Sequence, residues 1–244
     1  MTKVYGIIGR SLGHSFSPEF FASKFKKIRA DAVYRKFEIG SIEKFSSIVS
    51  AEPNLVGLNV TIPYKKEIIP YLDAVSDEVK TIGAVNTVLL KSGKLYGYNT
   101  DVVGFKKSFQ SLNLGKTKCL VLGTGGAAQS VYFVLDQLGI EYQKVSRGKS
   151  LGDLTYKELD KDILNRFPCI INTTPLGMAP NKGKPDLPYR FLSEKNTLVD
   201  LVYQPRVTPF LEEGLRRGTR IKNGFEMLIS QAEASWEIWQ TVDN

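Results

Sequence analysis

The sequence predicts an α/β protein built on largely parallel sheets. Residues 118–130, KCLVLGTGGAAQS, read as a short apolar strand, a glycine-rich turn and the start of a helix. A dinucleotide-binding βα unit requires that order. Strand-like and helix-like segments alternate along the rest of the chain, punctuated by Gly, Pro, Ser and Asn. With 244 residues, 42% hydrophobic and 24% charged, the chain can fill one large core or two smaller ones.

In chain order, residues 4–8 form an apolar strand, and 18–28 a helix with Ser17 in the N-cap slot and Pro18 at its first position. Residues 33–39 read as a strand, 42–51 as a helix capped by Ser41, and 55–60 as a strand. Short helices are expected at 66–72 and 73–82. Residues 84–90 and 94–98 pair as strands across Ser92 and Gly93. A helix near 102–112 leads to the strand at 118–122, and the helix at 127–138 stops at Gly139. Strands follow at 142–145, 169–172 and 197–202, then a helix at 209–217, a strand at 220–222 and a last helix at 225–239. No internal repeat or low-complexity segment interrupts the pattern.

Composition narrows the function classes. The net charge is +8, with basic pairs at Lys26–Lys27, Lys65–Lys66, Lys106–Lys107 and Arg216–Arg217. There is no long basic tail, zinc-finger pattern or RNA-recognition signature. Solvated basic faces therefore come first, attraction of small anions second and nucleic acid third. No apolar run approaches the ~18 residues of a membrane span, and the N-terminus enters a strand without a charged leader and cleavage site. Cys119 and Cys169 lie in apolar runs, so a disulfide framework is excluded and a reducing, cytoplasmic setting is favoured. His14 is the one histidine, so a multi-histidine metal site is excluded and no metal is expected.

In the glycine turn, Gly123 permits the sharp bend and Gly125 allows backbone approach to a pyrophosphate. Ala128 takes the close helix–strand position, and the helix start presents unpaired amides and a positive dipole end to a phosphate. A bare G-x-G-x-x-A also fits an ordinary turn. Other candidates lie in loops at strand ends, where chemistry gathers in open α/β sheets. Ser15 and Ser17, two apart before a helix, can aim hydroxyls at an anionic group, and capping accounts for Ser17 equally well. Asp101 also fits a helix N-cap and Lys65 a solvated surface lysine, and the residues alone leave both readings open.

The motifs HSFSP, NVTIPYK, GAVNT, GYNTD, GTGGAAQS, NTTPLGM and NGFEMLISQA occur here in the order seen in shikimate dehydrogenases. The resemblance extends from Gly6 to Trp239. It implies two domains: an N-terminal α/β substrate domain (1–101, completed by a C-terminal helix at 224–244) and a Rossmann-like NADP-binding domain (102–223). The active site would lie in the cleft between them. The implied activity is reversible NADPH-dependent reduction of 3-dehydroshikimate to shikimate, a step of aromatic amino-acid biosynthesis. By matching motifs, Lys65 and Asp101 would form the catalytic pair, with Lys66 an adjacent decoy on another face. Ser15 and Ser17 would hold the substrate carboxylate, and Thr61, Asn86, Asp101 and Gln231 its hydroxyls, with Tyr203 of DLVYQP nearby. Gly123, Thr124, Gly125, Gly126, Ala127, Ser146, Arg147, Lys149, Thr173, Met178 and Gly224 would bind the cofactor. The implied partners are the small-molecule substrate and NADP, without nucleic acid or membrane, for a monomer or homodimer.

Cofactor choice also has a positional argument. About 20 residues beyond a glycine turn, an acidic side chain favours NAD and an arginine NADP. Here Ser146 and Arg147 stand there, Lys149 follows, and no carboxylate precedes Asp153, so NADP is expected. The chain departs from the family where Ser146-Arg147-Gly148 replaces Asn-Arg-Thr, which shifts the expected phosphate contacts toward Lys149 or Ser150. Residues 151–168 look short, suggesting an abbreviated strand and helix. Phe225-Glu226-Met227 replaces Leu-Gly-Met, bringing bulk and charge toward the cleft. The alternatives are a quinate/shikimate dehydrogenase, an NAD-preferring paralogue, or a nucleotide- or nucleic-acid-binding protein without turnover.

Overall fold

The computed structural model describes residues 1–13 and 15–241, and the readings made for His14 lie outside the described residues. The chain divides into two units, one of Met1–Thr100 with the segment from Ala232 onward, the other Asp101–Gln231.

In the first unit, β1 (Lys3–Gly9), β2 (Ala32–Glu38), β3 (Leu55–Val60), β4 (Ala74–Val75), β5 (Thr87–Lys91) and β6 (Lys94–Tyr98) make a six-stranded sheet ordered β2-β1-β3-β5-β6-β4. β1, β2 and β3 run parallel, joined by crossovers through α1 (Ser17–Ile28) and α2 (Phe45–Ala51). β5 is antiparallel to both β3 and β6, as the strand pair read across Ser92 and Gly93 implies for β5 and β6, so this sheet is mixed. Between β5 and β6 the cause is the two-residue turn: Ser92 and Gly93 both have positive φ (52° and 74°), which matches the twist of a hairpin and forces antiparallel pairing. Ile8, Leu58, Val60, Tyr64 and Ile68 fill one core cluster, and Tyr5, Phe21, Phe25, Val56 and Trp239 fill another.

Several local expectations change. Residues 66–72 are turns ending in a short 3-10 segment, Ile69–Tyr71, and not a helix. Pro70 biases the residue before it away from helix. The helix expected at 73–82 is shorter: Asp73 accepts the Leu95 amide at 2.7 Å, β4 follows, and Ser76 caps α3 (Asp77–Ile82) by accepting from Val79 N. The expected helix at 42–51 begins as a 3-10 turn at Ile42–Lys44, and Ser41 makes no side-chain cap there. Ser17 is the first residue of α1 and not its N-cap, a position taken by Phe16.

The second unit carries β7 (Cys119–Leu122), β8 (Tyr142–Ser146), β9 (Leu154–Thr155), β10 (Cys169–Asn172), β11 (Thr197–Asp200) and β12 (Arg220–Lys222). All pair in parallel, in the order β12-β11-β10-β7-β8-β9. This is the doubly wound order of a Rossmann-like sheet, with the topological switch between β7 and β10. β7, β10 and β11 are buried along their whole length, as parallel strands covered on both faces must be. Around them lie α4 (Asp101–Gln110), α5 (Gly126–Gln137), the short α6 (Lys161–Arg166) and α7 (Pro209–Leu215). α8 (Phe225–Gln240) begins in this unit. α5 ends at Gly139, whose φ of 64° lets it and Ile140 bond back to Asp136 and Leu135. Among the described residues no helix is long and apolar enough to cross a membrane.

Candidate active site

Between β1 and α1, Leu12 and Ser15 are fixed by their own hydrogen bonds. Leu12 is buried, its amide donates to Glu38 Oε1 at 2.6 Å, and its carbonyl accepts from Ser15 N at 3.1 Å. Ser15 is half-buried, and its hydroxyl makes no hydrogen bond among the described residues. Ser17 is buried and hydrogen-bonded to Tyr34. Since the Tyr34 hydroxyl already donates to Asn59 Oδ1 at 2.7 Å, Ser17 is the donor to Tyr34. Burial pushes the Tyr34 phenol well above its ordinary pKa, so it remains a neutral donor. A Cβ at Gly9 would stand 2.6 Å from Thr61 Cγ2, so the glycine permits the close approach of Thr61 to the end of β1.

After β3, Tyr64 and Ile68 are fully buried, and the Tyr64 hydroxyl donates to Ile39 O at 2.6 Å. These two anchors leave Lys65 half-buried and Lys66 exposed. The Lys65 carbonyl accepts from Val85 N at 2.7 Å, which ties NVTIPYK to GAVNT. Next along, the Asn86 side chain accepts from Thr100 N at 2.7 Å and donates to Thr100 Oγ1 at 3.0 Å. Asn59 Nδ2 donates to Ser235 Oγ at 2.9 Å, and Ser235 lies 2.8 Å from Thr87 Oγ1. The result is a buried net of hydroxyls and amides that fixes which way Asn86 faces. The motif reading took Asn86 but missed Tyr34, Asn59, Thr87, Thr100 and Ser235. The paired Asn-Thr of GAVNT and GYNTD was the signal available.

In the second unit Gly123 has φ 103°, and a Cβ there would meet Thr173 Oγ1 and Thr174 Cγ2, each at 2.9 Å. The Tyr132 hydroxyl, reaching back from α5, donates to Gly123 O at 2.6 Å and braces the turn. Gly125 is the N-cap of α5 without a side-chain cap, and a Cβ at Gly125 or Gly126 would meet nothing within 4 Å. The turn through Thr124 and Ala127 therefore leaves open space before a helix start, which suits a pyrophosphate. Ala128 is fully buried at the helix–strand contact.

Beyond β8, the Ser146 hydroxyl is buried and donates to Gly148 O, shaping the loop. Arg147 is exposed and makes no ion pair among the described residues. Lys149, by contrast, pairs with Glu158 at 2.7 Å. Hydrogen bonds from Lys149, then from Thr155, lower the Glu158 carboxyl to about 2.

β10 and β11 end in a second buried net. Thr173 Oγ1 donates to Leu122 O at 2.6 Å, joining β10 to β7. Asp200 accepts from Asn172 Nδ2 and Val202 N, each at 3.0 Å, and from Thr208 Oγ1 at 2.5 Å. Burial raises its carboxyl to about 6 despite these bonds. Met178 is half-buried and bridges to Asn181. A Cβ on Gly224 would fall 2.0 Å from Leu201 O, so only glycine fits there. Tyr203 is half-buried just beyond Val202. Gly104 on α4 lies against Met227 O and Gln231, one turn after Asp101, which is buried at the start of that helix. Gln231 Nε2 donates to Leu228 O at 2.9 Å. Phe225 stands 41% exposed under Arg206, and Glu226 is paired with Lys222.

The structure thus gathers Ser15, Ser17, Thr61, Lys65 and Asn86 in the first unit. The glycine turn, Ser146, Arg147, Lys149, Thr173, Met178, Tyr203, Gly224, Asp101 and Gln231 belong to the second. Residues 7–88 match the shikimate dehydrogenase substrate binding domain. Shikimate dehydrogenase (NADP(+)) of Clostridium beijerinckii is 38% identical over 98% of this chain and 92% of its own length. The crystal structure of shikimate dehydrogenase 1 from Peptoclostridium difficile superposes with a TM-score of 0.87 at 38% identity, covering 98% of this chain and 92% of that one. That of the Thermus thermophilus shikimate 5-dehydrogenase, in complex with NADP(H) and shikimate, gives 0.88 at 28% identity, covering 98% and 94%. With both sheets and nearly the whole length matched at this identity, the chain belongs to the shikimate dehydrogenase family.

Proposed function

We propose that this chain catalyses the reversible NADPH-dependent reduction of 3-dehydroshikimate to shikimate. The observation that carries the reading is the linkage of three distant motifs. Lys65 is bonded through its carbonyl to Val85, and Asn86 through its side chain to Thr100. A general acid, a hydroxyl-binding amide and the residue before Asp101 thus come from one hydrogen-bonded strip. The open glycine turn before α5 and the exposed Arg147 suit the pyrophosphate and the extra phosphate of NADP. When bound, the reduced dinucleotide supplies hydride to the ketone carbon. Lys65 gives a proton to the oxygen of that carbon and recovers it in reverse, and Asp101 orients the lysine. Thr61, Asn86, Asp101 and Gln231 hold the ring hydroxyls, with Tyr203 beside them. Thr124, Gly126, Ala127, Ser146, Lys149, Thr173, Met178 and Gly224 complete the cofactor contacts. Residues 1–101 with 224–244 serve the substrate and 102–223 the cofactor. The deciding assay follows reduced-nicotinamide absorbance with shikimate or quinate and NADP or NAD. Faster turnover with shikimate and NADP is expected, and a preference for quinate or NAD overturns the finer assignment.

Two variants separate the ligands. Ser15 and Ser17 hold the substrate carboxylate, but Ser17 must first leave Tyr34. Hydrogen bonds to a charged group are worth about 1.5–3 kcal/mol. Ser15→Ala is therefore expected to raise the shikimate KM about tenfold or more, with the NADP KM unchanged. Equal loss for both ligands would point to damaged folding instead. Arg147→Ala is expected to raise the NADP KM by about tenfold or more and to leave NAD-linked turnover untouched. Lys149, held by Glu158, contributes less. Unchanged NADP affinity in Arg147→Ala removes the phosphate assignment.

A further inference from the structure

Asp200 is fully buried, with dipoles and, among the described residues, no cation as its partners. Its donors stand at the ends of two loops: Asn172 precedes the one after β10, while Val202 lies near the start, and Thr208 at the close, of the one between β11 and α7. Asn172 gives Nδ2 to Asp200 and so turns Oδ1 toward Thr174, accepting from its amide at 3.0 Å and its hydroxyl at 2.7 Å. That bond sets the course of the segment holding Thr173 and Met178. Thr208 packs against Gly177 in the same segment, where a Cβ would come within 3.1 Å of Thr208 Cβ. Val202 donates its amide to Asp200, while its carbonyl accepts from Gly224 N at 3.1 Å, and Tyr203 follows it.

We propose that Asp200 is a positioning residue for dinucleotide binding, an acceptor-only anion that fixes which way the Asn172 amide and the Thr208 hydroxyl point in the net carrying Thr173, Met178, Tyr203 and Gly224. The proposal rests on the NADP assignment above. An ionised carboxylate has only acceptor sites, so the Asn172 amide and the Thr208 hydroxyl can each point one way, while the Val202 N–H donates in any case. A neutral amide keeps the shape but adds a donor. The Thr208 hydroxyl, which also accepts from Leu211 N at 3.3 Å, or the Asn172 amide must then turn round. The loops lose their single arrangement without losing their packing.

The arrangement has a stability cost that makes it testable. The folded carboxyl titrates near 6, above its ordinary 3.8, so the fold holds that proton more tightly and its stability falls as pH rises through this window. Asp200→Asn is therefore expected to leave the thermal midpoint at pH 7.5 unchanged or higher, while the NADP dissociation constant rises tenfold or more. As pH falls from 7.5 to 5.5, wild-type affinity should drop toward that of the variant, closing the gap between them. The 2′-phosphate titrates alike in both proteins, so the difference reports residue 200. Tyr189, the titratable side chain facing Asp200, is held neutral by burial, and Glu213 beyond it stays charged through Lys184 and Arg217. If Asp200→Asn folds poorly, Thr208→Val should raise the dissociation constant at least about threefold and Thr208→Ser should restore it. A lower midpoint with proportionate loss of affinity, or unchanged affinity in both Asp200→Asn and Thr208→Val, overturns the role. Wild-type protein that binds no NADP overturns the assignment beneath it.

Discussion

Lys65→Ala is expected to lower turnover about 10²–10⁴-fold, the usual worth of general acid–base catalysis, while Lys66→Ala stays close to wild type. The structure makes this pair a clean comparison. Tyr64 and Ile68 hold the segment through the core and the Tyr64–Ile39 bond, and the Lys65 backbone is pinned by Val85. These anchors run through apolar side chains, the Tyr64 hydroxyl and the backbone, and the thermal midpoint of Lys65→Ala checks that the fold persists. Lys66 points its charge into solvent from the next position. Shikimate and NADP binding by Lys65→Ala, measured by calorimetry, should stay within a few-fold of wild type, because Ser15, Ser17 and the glycine turn persist. Saturating turnover is the decisive readout. A fully active Lys65→Ala, or an inactive Lys66→Ala, removes the acid–base assignment.

The elements that could be read from the sequence were those with local causes. β10 falls on its apolar run, and the hairpin follows from Ser92–Gly93. The segment after Tyr64 could not be read in this way. Tyr64 and Ile68 are spaced like a helix face, but they are buried by a run of turns, because Pro63 and Pro70 interrupt the helical bond pattern. Ser17 looked like a cap because it precedes Pro18. Its hydroxyl instead meets Tyr34, a residue of β2 whose position only the tertiary fold supplies. The site shows the same limit. Each motif string was visible alone, but Asn59 reaches Ser235 across 176 positions, and Asp200 takes its donors from the end of β10, from Val202 and from the cap of α7. Local patterns named the residues, and non-local bonds determine what each is free to do.

Gly57→Ala is expected to give the largest loss of stability. Gly57 lies in β3, and a Cβ there would stand 2.1 Å from Trp239 Nε1 and 2.3 Å from its Cδ1. The indole cannot step aside. It is 1% exposed, lies 5.0 Å from the Tyr5 ring and 5.2 Å from Phe21, and donates to Val88 O at 3.0 Å. Over-packing of this kind costs about 1–3 kcal/mol. Loss of the partner of a buried N–H adds about 1–3 kcal/mol. Removing a glycine from the unfolded chain returns roughly 0.4–1 kcal/mol, too little to reverse the sign. The net, about 1–6 kcal/mol, is a large share of the ~5–15 kcal/mol that holds a typical domain. At about 2–4 °C per kcal/mol for a chain of this size, calorimetry should show the midpoint falling by roughly 2–24 °C. The loss should appear in shikimate binding near that temperature, since Ser235, on the same helix as Trp239, closes the net around Asn59 and Thr87. A midpoint within about 2 °C of wild type, less than one kcal/mol on that scale, would mean that the last helix holds the first sheet by something other than the glycine–tryptophan contact.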